Sequence, residues 1–182
     1  DGAVKAYPNV HRDYESVPIG SFDSIASNFA ERSPRVGIYN FTYDIWINGI
    51  ATPGCTEIMI WTENFRQVPA GSVVARGLEW SGRTWRVYAT SGNHYIAFVP
   101  NKPLRQGTMR IKSMLDWLMQ RGRIPANSTL GQIGFGFEIV QRLFTSDVDV
   151  IFVLNAVRVS VVRHNIARVE DLEVEPVLQC NF

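Results

Sequence analysis

The sequence predicts an all-β fold, a sandwich or barrel of antiparallel strands with one helix packed on it. Short runs of alternating apolar and polar residues recur along the chain, separated by turn signals rich in glycine, asparagine and proline. Apolar residues follow helical spacing in one stretch, near residues 111–118. The length of 182 residues and the apolar fraction of 46% suit a single globular domain.

From residue 37 onwards the sequence predicts mainly strands. Residues 1–35 contain three prolines and are expected to be loop, with one short strand near residues 19–25. Strict alternation predicts a half-buried strand over residues 37–48, and a turn separates it from the next strand. The remaining predicted strands are residues 56–62, 72–78, 84–90, 95–99, 131–141 and a last one near 148–162.

One helix interrupts the strands. Its apolar stripe consists of Ile111, Met114, Leu115 and Leu118, and Gly122 is expected just beyond its end. The chain after residue 162 is charged and interrupted by proline, which predicts an extended tail or an edge strand. We therefore expect one domain over residues 1–162 and a tail over residues 163–182, to which no role is assigned.

Composition and charge disfavour several classes of partner. The net charge of +1 gives no indication of a nucleic-acid or anionic-membrane partner, and no apolar run has the length of a membrane span. Cys55 and Cys180 match no metal-binding spacing, and the sequence leaves their pairing open. His11, His94 and His164 have no partners at the spacing of a metal site or a catalytic triad.

The predicted strand at residues 131–141 carries a single carboxylate on its polar face. Glu138 shares that face with Gly134 and Gly136, while the opposite face is continuously apolar. Glycine inside a strand often marks a place where something approaches the backbone closely. The two glycines therefore predict an open floor beside Glu138 on which a ligand lies.

The predicted strand at residues 56–62 repeats this arrangement. Glu57 lies on the face opposite the core and shares it with Met59 and Trp61. If both strands line one concave sheet, Glu57 and Glu138 converge across a groove of the size of a sugar. Hydrolysis of a glycosidic bond needs such a pair, about 5–5.5 Å apart in a retaining enzyme, where one attacks the anomeric carbon and the other protonates the leaving oxygen.

The predicted strand at residues 37–48 adds Asp44 to the polar faces. A third carboxyl group near a nucleophile can hydrogen-bond it and change its proton affinity. Trp46 and Trp61 have flat apolar rings suited to stacking on pyranose rings. Each residue also has a structural explanation, since a strand glutamate is commonly a surface residue, Asp44 suits an arginine pair or a loop cap, and both Met59 and Trp61 suit packing.

Several ordered segments resemble glycoside hydrolase family 12, the small jelly-roll endoglucanases and xyloglucanases. Residues 57–61, Glu-Ile-Met-Ile-Trp, are similar to the family's nucleophile strand, and residues 134–138, Gly-Phe-Gly-Phe-Glu, resemble its acid/base strand. Residues 43–45, Tyr-Asp-Ile, resemble the strand with the assisting aspartate, and residues 4–9, Val-Lys-Ala-Tyr-Pro-Asn, resemble another family segment. Glu57 and Glu138 lie 81 positions apart, which suits the family layout, and the likeness covers roughly residues 3–162.

The resemblance implies a role for each candidate residue. Glu57 is the expected nucleophile and starts ionised, and Glu138 is the expected general acid/base, whose raised pKa keeps it protonated at the start. Asp44 is expected to assist Glu57, and the expected substrate contacts are Met59, Trp61, Trp46, Gly134 and Gly136.

The resemblance also implies a fold and an activity. The expected fold is a jelly roll of two packed antiparallel sheets with one outer helix. The expected activity is that of a secreted, monomeric, retaining endo-β-1,4-glucanase or xyloglucanase, acting on β-glucan or xyloglucan without a cofactor. The alternatives are a non-catalytic glycan-binding module and a jelly roll that has lost the chemistry.

The chain departs from the family pattern in two places. It begins at the Tyr-Pro-Asn segment, so the family's N-terminal strands, which carry aromatic substrate-binding residues, are expected to be missing. The sequence Phe-Glu-Ile-Val at 137–140 replaces the frequent Thr-Glu-Pro-Phe, which predicts a divergent branch of the family.

Overall fold

The computed structural model describes residues 3–33, 35–141, 153–163 and 166–174 as two β-sheets and one α-helix. The strands are β1 (Asn9–Pro18), β2 (Phe22–Arg32), β3 (Ile38–Ile47), β4 (Thr56–Phe65), β5 (Ser72–Trp80), β6 (Arg83–Ala89), β7 (Tyr95–Pro100), β8 (Gln106–Met109), β9 (Thr129–Gln141), β10 (Val153–Arg163) and β11 (Ile166–Val174), and the helix α1 spans Ile111–Gln120. The predicted all-β sandwich with one packed helix is therefore confirmed.

The larger sheet has seven strands in the order β1-β9-β3-β4-β7-β6-β5, and the smaller has four in the order β11-β10-β2-β8. Neighbouring described strands pair antiparallel except β4 and β7, which are parallel. This pair departs from the expected antiparallel pairing because the β5–β6 hairpin occupies the sheet edge. The chain then returns as β7 between that hairpin and β4, running in the direction of β4.

The core lies between the two sheets and is built on the alternation of β3. Its inward side chains are all fully buried and are Tyr39, Phe41, Tyr43, Ile45 and Ile47. From the smaller sheet, Phe29 packs against Tyr43 and Phe135, with ring centroids 5.8 and 5.4 Å apart. Because each such side chain contributes about 1.5–3 kcal/mol on burial, this face fixes the register that turns the polar face of β3 away from the core.

The N-terminal region differs from its prediction as loop with one short strand. Two long strands, β1 and β2, occupy it, joined by a short 3₁₀ turn at Ile19–Ser21. The core face of β2 carries two buried polar residues, Ser27 and Glu31, among its apolar ones, which conceals the alternation in the sequence. In β1 the register shifts between Asp13 and Val17, so its pattern is irregular as well.

The helix forms where it was predicted. Its four stripe residues are all fully buried, and α1 packs against β2. Gly122 has a φ of 63° and donates its N–H to the carbonyl of Met119, as expected for a glycine just past a helix. Among the described residues, no helix is long and apolar enough to cross a membrane.

The chain after residue 162 contributes an edge strand. β11 pairs with β10 along the outer edge of the smaller sheet. The last predicted strand, near residues 148–162, appears as β10, and residues 148–152 lie outside the described part of the chain. Cys180 also lies outside it, whereas Cys55 is half-buried.

Candidate active site

Adjacent strands of the larger sheet bring three carboxyl side chains to the face turned away from the core. β9 carries Glu138, β3 carries Asp44 and β4 carries Glu57. Asn40 of β3 lies directly opposite Glu138, and Trp46 of β3 lies directly opposite Glu57. Asp44 stands between these two positions on the central strand, so the sequence-predicted carboxyl residues share one site.

The three carboxyl groups act on one another electrostatically. Burial, together with the negative charges of Asp44 and Glu138, raises the pKa of Glu57 to about 7. The pKa of Asp44 is also raised to about 7, chiefly by burial; the hydrogen bond that Trp46 donates opposes this rise and the charge of Glu138 adds to it. Since like charges in a partly buried site cannot all ionise freely, protons are retained by this group of carboxyls near neutral pH.

One carboxyl oxygen of Asp44 accepts a hydrogen bond and the other does not. The indole Nε1 of Trp46 donates to Oδ2 of Asp44 over 3.2 Å. The other oxygen, Oδ1, is buried and has no hydrogen-bond partner among the described residues. An unpartnered buried oxygen is where a carboxyl proton is most easily accommodated, because the proton turns that oxygen into a donor.

Glu138 is held by two amide donors on a single oxygen. Asn40 Nδ2 donates to Oε2 over 2.7 Å, and Gln67 Nε2 donates to the same atom over 3.0 Å. Burial raises the pKa of Glu138, and these two hydrogen bonds oppose that rise because they stabilise the ionised form. The oxygen Oε1 is thereby left as the atom free to carry a proton.

Gln67 reaches Glu138 from a loop that two hydrogen bonds hold in place. Asn64 Nδ2 donates to the carbonyl oxygen of Gln67 over 2.8 Å, and the backbone N–H of Gln67 donates to Asn64 Oδ1 over 2.9 Å. This reciprocal pair fixes the turn after β4. It places the Gln67 amide at Glu138 across a sequence distance of 71 residues.

Two tyrosine hydroxyls face the same carboxyl groups. Tyr7 and Tyr95 both have a pKa raised first by burial and then by the charges of Asp44, Glu57 and Glu138. Tyr95 lies directly opposite Glu57 across the parallel β4–β7 pair. The Tyr7 hydroxyl is buried and has no hydrogen-bond partner among the described residues. Both phenols add neutral donors to a site that otherwise holds negative charge.

An apolar floor lies beside Glu57. Met59 and Trp61 are each 1% exposed and pack with Ala97, against which Tyr88 also lies. The indole Nε1 of Trp61 points to the Met59 sulfur at 3.5 Å. The expectation that Trp61 offers an open stacking face is therefore wrong, because neighbouring side chains cover its ring, whereas Trp46 remains half-exposed.

The floor beside Glu138 is filled by the chain itself. A side chain at Gly136 would overlap the Pro8 carbonyl oxygen and come within 2.7 Å of the Asn9 Cα. At Gly134, the Tyr7 hydroxyl lies 3.6 Å from the place a Cβ would take. The expected open floor at Gly136 is wrong, because this glycine admits the N-terminal segment and not a ligand.

Four residues of the site have no role in the sequence prediction, and they are Tyr7, Asn40, Gln67 and Tyr95. Asn40 was detectable, since it alternates with core residues on the polar face of its strand. Tyr7 belongs to the family-like segment at 4–9, which carried no functional assignment. Gln67 had no sequence signal, because its position depends on the fold of the loop.

No group of three or more His, Cys, Asp or Glu residues within the described part of the chain is arranged to hold a metal ion. The chemistry available at this site is that of carboxyl groups with amide and phenol donors around them. A pair of carboxyl groups with raised pKa values on neighbouring strands can supply a nucleophile and a proton donor.

Comparison with known proteins places this arrangement in context. The sequence model of glycosyl hydrolase family 12 matches residues 2–150. A thermostable cellulase derived from Cel12A of Rhodothermus marinus is 26% identical, with 78% of this chain and 69% of that chain covered and a TM-score of 0.70. The xyloglucanase domain of NopAA from Sinorhizobium fredii, solved with cellobiose, is 26% identical, with coverages of 75% and 68% and a TM-score of 0.62.

A family 12 xyloglucanase from Bacillus licheniformis shares the fold at 18% identity, with 96% of this chain and 77% of that chain covered and a TM-score of 0.69. A comparison with curated protein sequences gives no match.

Proposed function

The chain belongs to glycosyl hydrolase family 12 and is a glycoside hydrolase, and we propose that it cleaves internal β-1,4-glucosidic bonds of glucan or xyloglucan with retention of configuration. The observation that carries the proposal is the shared site of Glu57, Asp44 and Glu138 on one sheet face, where the charges of Asp44 and Glu138 act on Glu57 and that of Glu138 acts on Asp44. The similar cellulase from Rhodothermus marinus and the NopAA xyloglucanase domain favour this class of polymer.

Glu57 is proposed as the nucleophile. Its carboxylate attacks the anomeric carbon while the bond from that carbon to the leaving oxygen breaks, which gives a covalent glycosyl ester. Glu138 gives its proton to the leaving oxygen in the same step. In the second step Glu138 takes a proton from water, the resulting hydroxide oxygen bonds to the anomeric carbon, and the ester bond to Glu57 breaks.

The hydrogen bonds at Glu138 support its proposed role. Asn40 and Gln67 hold Oε2, so the carboxyl group has a fixed orientation with Oε1 available as the acid. Burial favours the protonated form that the first step requires, and the two donors favour the ionised form that the second step requires. This balance suits a group that alternates between acid and base.

Asp44 is proposed to retain the proton that Glu57 must lose. Both groups have a pKa near 7, so near neutral pH the two interacting carboxyls hold about one proton between them. The buried, unpartnered Oδ1 of Asp44 gives that proton a place within the same group of carboxyls. Glu57 then starts ionised while its neighbour is neutral.

Release of reducing sugar from barley β-glucan, xyloglucan and carboxymethyl-cellulose tests the proposal. We expect wild-type activity on at least one polymer and loss of activity in both Glu57→Gln and Glu138→Gln. Proton NMR of the first product formed checks retention, which requires a carboxyl separation of about 5–5.5 Å. A folded wild-type chain without activity on any of the three, or one that releases the inverted anomer first, would contradict it. Glycan binding without turnover would indicate a non-catalytic glycan-binding module.

The proposed substrates are polymers too large to enter a cell, and we extend the proposal to a secreted, monomeric enzyme. Fractionation of the source culture followed by immunoblotting checks the location. Light scattering on the purified chain checks the mass against the 20.6 kDa of one copy.

A further inference from the structure

A groove next to the carboxyl site has an arginine in its wall. The groove holds about 300 Å³ between the loop after β4 and the strands β6 and β7, and its lining includes Gln67, Arg86, Tyr88 and Asn101. None of the described residues that line it is acidic. The groove therefore carries positive charge beside a site that holds three carboxyl groups.

The groove is continuous with the active site. Gln67 lines the groove and also donates to Glu138, so one residue touches both. Tyr88 lines the groove and packs against the apolar floor formed by Met59 and Trp61 beside Glu57. A polymer chain bound across the carboxyl groups therefore has this groove along its path.

The positive charge of Arg86 is not neutralised within the described part of the chain. Arg86 is exposed and makes no hydrogen bond or ion pair there, whereas Arg83 on the same strand donates to the carbonyl oxygen of Pro103 and Arg105 pairs with Glu63 at 2.8 Å. Its direct cross-strand neighbour on β5 is Arg76, a second cation. Like charges at directly opposed strand positions are unfavourable, and a bound anion would relieve the repulsion.

Resting on the proposed glycanase function, we propose that this groove binds a carboxylate-bearing substituent on the β-1,4-glucan chain, with Arg86 as the anion-binding residue. The planar guanidinium matches a carboxylate with two parallel hydrogen bonds. Tyr88 and Asn101 also line the groove, and their phenol and amide groups are available to the sugar that carries the substituent. The substrate class is thus an acidic β-glucan, substituted with uronate-like or carboxyalkyl groups.

The charge of the neighbouring site explains why such a residue matters. An acidic polymer approaching Glu57, Asp44 and Glu138 is repelled by whichever of these carboxyls are ionised. A guanidinium farther along the same sheet face offsets that repulsion for the substituent it contacts. A neutral glucan has no such need, so the effect of Arg86 should depend on the charge of the polymer.

Affinity electrophoresis with two polymers of the same backbone tests the proposal. Carboxymethyl-cellulose is the anionic probe and hydroxyethyl-cellulose the neutral one, at pH 6 and low salt, where a carboxymethyl group is ionised. All proteins carry Glu57→Gln, so the gel polymer is not degraded. We expect Arg86→Gln to lower the ratio of anionic to neutral affinity about tenfold and Arg86→Glu to lower it further.

The matched control is Arg110→Gln, which removes one positive charge from an exposed position at the start of α1. It should leave the affinity ratio within about twofold of the parent, because Arg110 does not line the groove and cannot contact a substituent bound there. An equal loss on both polymers in Arg86→Gln, an unchanged ratio, or a parent that binds neither polymer overturns the proposal. The binding ratio needs no turnover, so inactivity of wild type would count against the glycanase proposal separately.

Discussion

Asn40 and Glu138 face each other directly across β3 and β9, and the Asn40 amide donates to Oε2 of Glu138 over 2.7 Å. Asn40 is fully buried, so no water replaces its donor when it is removed. In Asn40→Ala the ionised form of Glu138 loses a hydrogen bond, and its pKa rises. We expect the alkaline limb of the kcat/KM profile, which reports the acid form of Glu138, to move up by about one pH unit.

A profile of kcat/KM from pH 4 to 9 on one soluble glucan makes this measurement. Asn127→Ala, at an exposed position after α1, is the matched control and should leave the limb in place. If Asn40→Ala is folded and its alkaline limb lies at the same pH as that of wild type, Asn40 does not control the pKa of Glu138.

Gln67→Leu should also raise the pKa of Glu138, but by less than Asn40→Ala does. The Gln67 bond is longer, at 3.0 Å, and Gln67 is only half-buried whereas Asn40 is fully buried, so water takes over part of its role more easily. We expect the alkaline limb to rise by less than in Asn40→Ala, with the same profile as the readout. Gln120→Leu, on the exposed end of α1, controls for the loss of a surface amide. A larger shift than in Asn40→Ala would reverse the assigned order of the two donors.

The raised pKa of Glu57 predicts how stability changes with pH. Its pKa is about 7 in the folded chain and near 4.5 when unperturbed, so between these values the folded state holds more protons than the unfolded state. The free energy of unfolding then falls as pH rises from about 4.5 to about 7. The stabilisation that the protonated Glu57 provides is fully present below about pH 4.5. The glutamine in Glu57→Gln cannot ionise, so this variant should not lose stability in that pH range. Its Tm should therefore rise relative to the Tm of wild type as the pH increases from about 4.5 to about 7.

Differential scanning calorimetry at pH 4, 6 and 8 measures the Tm difference between Glu57→Gln and wild type. We expect the difference to become more positive by a few degrees from pH 4 to pH 8. Glu15→Gln, at an exposed position of β1, is the control for loss of a carboxylate. A difference that is constant with pH would mean that Glu57 ionises alike in the folded and unfolded chains.

The alternation of apolar and polar residues allowed much of the larger sheet to be predicted, together with the carboxyl residues Glu57, Asp44 and Glu138. Wherever apolar residues occupy every second position, as in β3 and β9, the polar residues between them must share the other face, which places Glu138 and Asp44 together once the strands are neighbours. β2 was only partly recognised, because its core face includes Ser27 and Glu31. Those residues are buried with partners, Tyr43 donating to Ser27 and Thr62 donating to Glu31, which no local pattern reveals.

The remainder of the site depends on contacts between distant parts of the chain. Gln67 reaches Glu138 only because Asn64 fixes the turn that carries it, and the strand pattern ends before that loop. The glycines of β9 were recognised as marking a close approach, but the approaching group is the chain's own segment at Pro8 and Asn9. Sequence alone identifies the room that a glycine leaves and not the group that fills it.

That close approach gives the last prediction, in which Gly136→Ala destabilises the chain and lowers activity. The added methyl group would overlap the Pro8 carbonyl oxygen, which accepts a hydrogen bond from the Phe137 N–H at 3.2 Å. The N-terminal segment must then move away from β9, and Tyr7 moves with it, out of the carboxyl site. We expect the free energy of unfolding to fall by about 1–3 kcal/mol and kcat/KM to fall as well.

Gly20→Ala is the matched control. It adds the same methyl group at an exposed position with no atom within 4 Å of the new Cβ and without a positive φ, so stability should change by less than about 0.5 kcal/mol. Urea denaturation of both variants, together with kcat/KM on one glucan, separates the effects. If Gly136→Ala unfolds at the same urea concentration as Gly20→Ala, the N-terminal segment does not depend on the room at Gly136. Activity retained despite lost stability would show that Tyr7 is not required at the carboxyl groups.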